Sequence, residues 1–524
     1  MTKKTGFTIS FSRVASGTFL SRLLGLVREQ VFAHLFGTSL AADAFFAAYR
    51  IPNLLRDLFA EGALSSAFVP VFKQEFQEKG KEPAFELAQI SFSVLTLVVS
   101  VVCIVGAILS PYLVKIIAPG FSDIPGKAEL TGQLTAYMFP FLLLVALAAL
   151  AMSILNCLEK FGIPALAPAM FNIGVITAAL IICPYLERPI FGMAAGVLLG
   201  GLGQFLIQVP SLYKSGFRFR FNPQFNHDGL KRIARLMGPM IGGLAAGRIN
   251  IFVNTLLASL LAAGSVSYLT YAYRIMHLPL GIIAVALGTV ALPKASALAA
   301  MNDEEGLVKV FYRAVHLCFF LVFPVAAFFI VAGDEVIGLL FEHGRFVQND
   351  TYNTYRALIW FSVGLIGFAG VRVTAPIYYA LKDAVNPMKF SIYAVLINLG
   401  ANFIFVRFWD FAGLAAATAL GGIVNFGLLV FYLPSKIKGV RIAAVSVMFI
   451  KSIVAAGLTG FILLYIKGIS WFTSLENTFF DRIEKILILI AVAGLCYLLF
   501  SVVFRNIPQI KEKPAFDKKE NDSI

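Results

Sequence analysis

Apolar residues in this chain run in long stretches, without the short alternation of a half-buried strand. Twelve stretches, near residues 88–114, 134–156, 164–186, 190–213, 236–262, 265–293, 314–333, 357–381, 388–406, 411–434, 442–466 and 486–504, are each long enough to cross about 30 Å of hydrocarbon as a helix. Two further segments, 10–36 and 40–72, are long and mostly apolar but are interrupted by charges. Counting them gives fourteen transmembrane helices, joined by short loops, with no soluble domain between them. The pattern predicts an all-α polytopic membrane protein.

Orientation follows from the basic residues. With the amino terminus inside, 26 of the 43 Lys and Arg fall on inner segments, 9 on outer segments and 8 within spans. The bias alternates as the positive-inside rule requires, so both termini are expected in the cytoplasm. Composition agrees: 59% of 524 residues are apolar, 14% are charged and mean hydropathy is +0.83. A soluble domain is nearer half apolar and a quarter charged. The net charge of +14 is then an orientation signal and calls for no nucleic-acid partner. Met1–Lys4 leads into a segment without a small-residue cleavage site, which reads as a retained helix. Cys103, Cys157, Cys183, Cys318 and Cys496 lie in or beside apolar segments without metal-ligand spacing, and read as packing residues.

An internal repeat is visible. Ala48-Tyr49-Arg50-Ile51-Pro52 resembles Ala272-Tyr273-Arg274-Ile275-Met276 at an offset of 224 residues, and Val69-Pro70 matches Leu292-Pro293. These are helices 2 and 8 of the count. Six helices return a chain to its starting side, so the copies run parallel, as in transporters that bind substrate between two lobes. The division expected is a first lobe over 1–216, a basic cytoplasmic linker over 217–235 and a second lobe over 236–437. A helix pair over 438–505 and a cytoplasmic tail over 506–524 complete the chain.

Charge inside the membrane is the candidate chemistry. Helix 1 carries Arg22, Arg28 and Glu29; helix 2 carries Asp43, Arg50, Asn53, Arg56, Asp57 and Glu61. Asp43, Arg50, Asn53, Asp57 and Glu61 recur at helical spacing along one face. Arg28, Arg50 and Arg274 fall at similar depth by helical rise, with Arg22 and Arg56 nearer the cytoplasm. Intramembrane charge usually marks a transport path, and the planar, permanently charged guanidinium suits phosphate or pyrophosphate. The alternative is mutual pairing of these arginines with Glu29, Asp43, Asp57 and Glu61, which also fits a gating role for the four carboxylates. Arg248, Arg372 and Lys451 are further intramembrane cations, and His277 stands one turn after Arg274. The stripes Gly192, Gly196, Gly200 and Gly364, Gly367, Gly370 fit close helix packing, and Asn398 with Asn402 fits interhelical hydrogen bonding. No catalytic triad, paired-carboxylate motif or metal motif is present, so a transporter is expected and not an enzyme.

The runs Ser21-Arg22-Leu23-Leu24-Gly25-Leu26-Val27-Arg28-Glu29, Ala42-Asp43-Ala44-Phe45-Phe46, Pro52-Asn53-Leu54-Leu55-Arg56 and Phe59-Ala60-Glu61-Gly62-Ala63 resemble the amino-terminal signature of the MurJ (MviN) lipid II flippases. Ala118-Pro119-Gly120-Phe121, Gly238-Pro239, Gly264-Ser265-Val266-Ser267 and Val285-Ala286-Leu287-Gly288-Thr289 extend the resemblance over nearly the whole chain. It implies the fourteen-helix fold of the MOP exporter superfamily. It also implies transfer of undecaprenyl-pyrophosphate-linked peptidoglycan precursor (lipid II) from the inner to the outer leaflet of the bacterial cytoplasmic membrane. Positions matching Arg28, Arg56 and Arg274 are implied to engage the pyrophosphate, Arg22 and Asp43 to be sensitive, and the last helix pair to hold the lipid tail. Membrane lipids and the cell-wall synthesis machinery are the other partners expected. No cofactor is expected beyond a dependence on membrane potential. A sodium site built on aspartates of helices 7 and 11 does not map, since helix 7 lacks Asp and helix 11 offers Asn402. No acidic role carries over to His277. Rival readings are a flippase for another lipid-linked glycan, a multidrug cation antiporter, a membrane scaffold for cell-wall enzymes and a membrane glycosyltransferase.

Overall fold

The computed structural model describes residues 2–470 and 478–508, the side chains of 2–15, 58–61, 242–247, 249, 285 and 289 excepted. The described chain is helical and contains no strand. In order, the helices are α1 (Thr2–Phe36), α2 (Leu40–Leu55), α3 (Ser65–Glu78), α4 (Lys81–Ile117), α5 (Lys127–Met138), α6 (Phe141–Cys157), α7 (Gly162–Ile181), α8 (Ile190–Leu206), α9 (Val209–Lys214), α10 (Asp228–Ser259), α11 (Ser265–Pro279), α12 (Val285–Ala300), α13 (Glu304–Phe341), α14 (Gln348–Ala380), α15 (Val385–Trp409), α16 (Phe411–Tyr432), α17 (Ile442–Lys467) and α18 (Phe479–Val503). Eleven continuous or near-continuous helical segments are long and apolar enough to cross a membrane. Three more are long but carry charges: α1, the run Leu40–Glu78, and α10. The total among described residues is the fourteen expected, in a multi-pass membrane protein.

Helices 2 and 8 share a local irregularity. Arg56–Leu64, between α2 and α3, and Leu280–Ala284, between α11 and α12, are wound as π-helix. Each follows a proline inside the preceding helix, Pro52 or Pro279, where a missing N–H and the ring disturb the regular ladder. The π segments begin 224 residues apart (Arg56 and Leu280), which is the repeat offset. The helix continues through Pro52 and widens one turn later, at the charged residues Arg56 and Asp57.

The chain divides into two compact units. One comprises Met1–Tyr268 with Phe341–Asp350, the other Leu269–Leu340 with Thr351–Ile524. The first therefore takes in α10, which the sequence reading put with the second lobe. In the first unit, Phe68, Phe72, Phe85, Phe92, Ile154 and Phe217 lie in one buried apolar cluster. The glycine stripe of α8 meets α7 at backbone distance: a Cβ on Gly200 would stand 2.6 Å from the Phe171 carbonyl oxygen, and one on Gly174 2.5 Å from the Gly200 nitrogen. In the second unit, Gly364 brings α14 equally close to Ala419 of α16. Both stripes are the close approaches small residues permit.

Candidate substrate site

Three groups of polar residues meet in the first unit. The first is on α1. Arg28 is half-buried; its Nε donates to Glu29 Oε1 at 3.0 Å, and Nη2 reaches the same oxygen. The guanidinium lies 5.4 Å from the ring centroid of Phe171 on α7, so an aromatic face and a neighbouring carboxylate hold the fork in place. Arg22 is exposed. Close by, Asn172 Nδ2 donates to the Ser21 carbonyl at 2.9 Å; Gly25 faces that same Asn172 side chain. Together these contacts fix α1 against α7 at the arginine-bearing face.

The second group forms where α2 widens. Arg56 donates to Asp57 Oδ1 from Nη2 at 2.8 Å and Nε at 3.3 Å. Arg248 of α10 approaches the other oxygen, Oδ2, at 3.0 Å. Asp57 thus stands between two guanidinium groups, one from each of two helices. Asn53 and Arg50 are half-buried about one and two turns earlier on α2. The side chain of Glu61 lies outside the described residues.

The third group departs from the expected pairing. Among the described residues, Asp43 does not meet an arginine. It is buried and accepts four hydrogen bonds: Lys127 Nζ at 2.8 Å and Gly264 N at 2.7 Å on Oδ2, Ser267 N at 2.9 Å and Ser267 Oγ at 2.6 Å on Oδ1. Lys127 is as deeply buried, and its ammonium sits 4.0 Å from the centroid of Phe121. A buried ion pair is tolerable only when its remaining valences are satisfied; here three further donors fill the Asp43 carboxylate, and the face of Phe121 meets the Lys127 ammonium. Ser267 is also the repeat counterpart of Asp43, 224 residues on. Nearby, Asp350 accepts from Thr38 Oγ1 at 2.5 Å and the Val347 amide at 3.1 Å, and the Arg345 amide donates to the His34 carbonyl at 2.9 Å. The loops 37–39, 260–264 and 341–350 are thereby tied together at the end read as external. Sequence reasoning counted Lys127 as an outer-loop charge, and its burial has no signal in the sequence. Arg248 was visible as an intramembrane cation, but its partner was not.

In the second unit, Arg274 lies on α11 and is half-buried. His277, one turn on, places Nδ1 3.2 Å from the Tyr273 carbonyl, its ring against that of Tyr273. Asn402 Nδ2 donates to Asn398 Oδ1 at 3.3 Å, and Asn398 Nδ2 reaches Thr418 Oγ1 of α16 at 3.5 Å. Among the described residues no group of three His, Cys, Asp or Glu could hold a metal ion.

Half-buried guanidinium groups on membrane helices, beside a buried carboxylate clamp, fit a transporter of anionic cargo. Residues 32–504 match the family model described as lipid II flippase MurJ. This chain belongs to that family. It is 33% identical over 420 residues to the lipid II flippase MurJ of Burkholderia cenocepacia, covering 79% of this chain and 81% of that one. Its fold matches a solved lipid II flippase MurJ in an inward closed conformation with a TM-score of 0.78, at 27% identity and over 94% of this chain and 99% of that one. An inward-facing multidrug resistance MATE transporter of the MOP superfamily shares the fold at a TM-score of 0.66 and 17% identity, over 83% and 99% of the two chains. The family assignment makes the chain a transporter and not an enzyme.

Proposed function

We propose that this chain moves lipid II from the inner to the outer leaflet of the bacterial cytoplasmic membrane by alternating access, delivering it to the cell-wall synthesis machinery. The observation that carries this reading is the pairing of Arg28 with Glu29 and of Arg56 with Asp57 inside membrane helices. Each guanidinium is held by a carboxylate adjacent on its own helix. A pyrophosphate can therefore exchange with that carboxylate while the arginine stays where it is. Such competition lets the site bind its cargo and release it. Arg22 and Arg50, with Asn53, extend the polar surface of the first unit in this reading, Arg274 is the cation the second unit supplies, and the prenyl tail stays in lipid along α17 and α18. An inside-negative potential favours outward movement of each net negative charge by about 2.3 kcal/mol per 100 mV.

Glu29 and Asp57 act as internal competitors, while Asp43 closes the external end by holding Gly264 and Ser267. Both termini lie in the cytoplasm in this reading. The test replaces the resident flippase of a bacterial host with this chain and measures lipid II exposed at the outer face. Exposure is expected from the parent and is expected to fall at least tenfold in Arg28→Ala, Arg56→Ala and Arg274→Ala, each inserted at parental levels. Undiminished exposure in all three variants refutes the arginine site. No exposure from a well-inserted parent redirects the assignment to another polyprenyl-linked glycan.

A further inference from the structure

Between α9 and α10 the sequence reads Phe217-Arg218-Phe219-Arg220-Phe221-Asn222, an aromatic and an arginine in strict alternation. The segment leaves a turn at Gly216, whose φ of +90° suits glycine, and runs without helix to Gln224. Successive side chains of such a segment point to opposite faces. The aromatic row starts in the core and ends outside it: Phe217 is fully buried, Phe219 is 37% exposed and Phe221 is 67% exposed. Phe217 lies edge-on to Phe85, and Phe219 edge-on to Phe92, with ring centroids 5.7 and 5.1 Å apart. Gln89 Nε2 donates to the Arg218 carbonyl at 2.9 Å, and the Asn222 amide donates to Ser93 Oγ at 2.8 Å. The segment is thus strapped along one turn of α4.

Its height on that helix is informative. One turn beyond Ser93, α4 begins a band of exposed apolar side chains: Leu97, Val98, Val101, Ile104 and Ile108. At 1.5 Å per residue, the pinned Asn222 lies roughly 6 Å short of that lipid-facing band. This is the boundary between headgroups and acyl chains, where aromatic rings collect. Arg218 and Arg220, both exposed, occupy the opposite face of the strap. Arg218 is preset: its Nη1 donates to the Tyr213 carbonyl at 2.8 Å and the guanidinium lies 5.1 Å from the centroid of the Tyr213 ring. Neither arginine makes an ion pair among the described residues, although Glu86 stands exposed one turn below Gln89. An exposed Phe with two guanidinium groups that lack a carboxylate partner among the described residues, at headgroup height, matches an anionic lipid surface in charge and polarity.

We propose that Phe219–Phe221, with Arg218, forms an interfacial clasp that selects anionic phospholipid headgroups from the leaflet at this end of the bundle. The proposal goes beyond the transport reading and does not depend on the identity of the cargo. The test uses the full chain with Trp360, Trp409 and Trp471 replaced by Phe and a single reporter, Phe221→Trp, in nanodiscs. The discs contain phosphatidylcholine with an equal fraction of either phosphatidylglycerol or phosphatidylcholine brominated near the headgroup. Quenching by the brominated anionic lipid is expected to correspond to a roughly tenfold local enrichment over the zwitterionic one. Arg218→Gln with Arg220→Gln is expected to remove the excess while leaving quenching by brominated phosphatidylcholine intact, which shows that the strap still lies in the interface. Arg218→Lys with Arg220→Lys is expected to retain most of the preference. Equal quenching by both lipids in the parent overturns the selection, and no quenching by either overturns the interfacial placement.

Discussion

The Asp43 clamp gives the sharpest quantitative test. In Asp43→Ala, Gly264 and Ser267 lose three hydrogen bonds to a carboxylate, and Lys127 loses its counter-charge. The two losses act on different equilibria. Stranding a buried ammonium destabilises the whole fold, by about 3–5 kcal/mol for a broken buried pair. In the proposed reading, the three bonds to Gly264 and Ser267 hold the external end shut. At about 1.5–3 kcal/mol for a hydrogen bond to a charged group, and allowing water to replace part of the loss, their removal weakens closure by about 3–4 kcal/mol. At 1.4 kcal/mol per decade, the open fraction should rise by a factor of about 100–1,000. Asp43→Ala combined with Lys127→Met separates the effects, because it removes the stranded charge but not the loss of the clamp. The assay places Ser265→Cys, buried in the closed end, in a background free of the five native cysteines. A membrane-impermeant maleimide is then added outside. Thermal unfolding should be lowered most in Asp43→Ala and recover in the double variant, while labelling of Cys at 265 should be fast in both. Labelling as slow as in the parent, in a folded double variant, would refute the closure role of Asp43.

Further outcomes follow from other contacts. Arg248→Ala should lower lipid II exposure severalfold without abolishing it, because Asp57 keeps Arg56 as a partner; its partly exposed pair contributes at most about 1 kcal/mol to stability. Gly200→Ala should destabilise the α7–α8 contact by about 1–3 kcal/mol, read as a lowered melting temperature, since its Cβ would meet the Phe171 carbonyl. Asp383, in the loop before α15, is pushed up by burial but pulled down further by the Lys436 ammonium and the Asn386 side chain and amide, to about 2 from 3.8. The carboxylate therefore stabilises the fold above pH 3.8, and that contribution fades as pH falls through about 2. Asp383→Asn should melt below the parent at neutral pH and converge with it in that acidic window; a constant gap refutes the assignment.

Hydropathy and charge determined most of the architecture, because whether a segment spans a membrane depends on its own residues. The apolar stretches gave the helices, and the arginines of α1 and α2 marked the candidate site. The repeat match placed Arg50 and Arg274 on helices 2 and 8, and each of these helices carries a π segment at the same offset. Partners were another matter. Asp43 meets Lys127 across 84 residues and Ser267 across 224, and Asp57 meets Arg248 of a distant helix. Lys127 looks in sequence like an ordinary charge near a loop end, and Asp43 like a partner for the arginines; only packing makes one the buried counter-ion of the other. Likewise the strap at 217–222 reads from sequence as a basic linker, and its height on α4 is set by hydrogen bonds to Gln89 and Ser93. A one-dimensional pattern fixes which face of a helix is polar, whereas the partner of each polar group depends on which helices pack side by side.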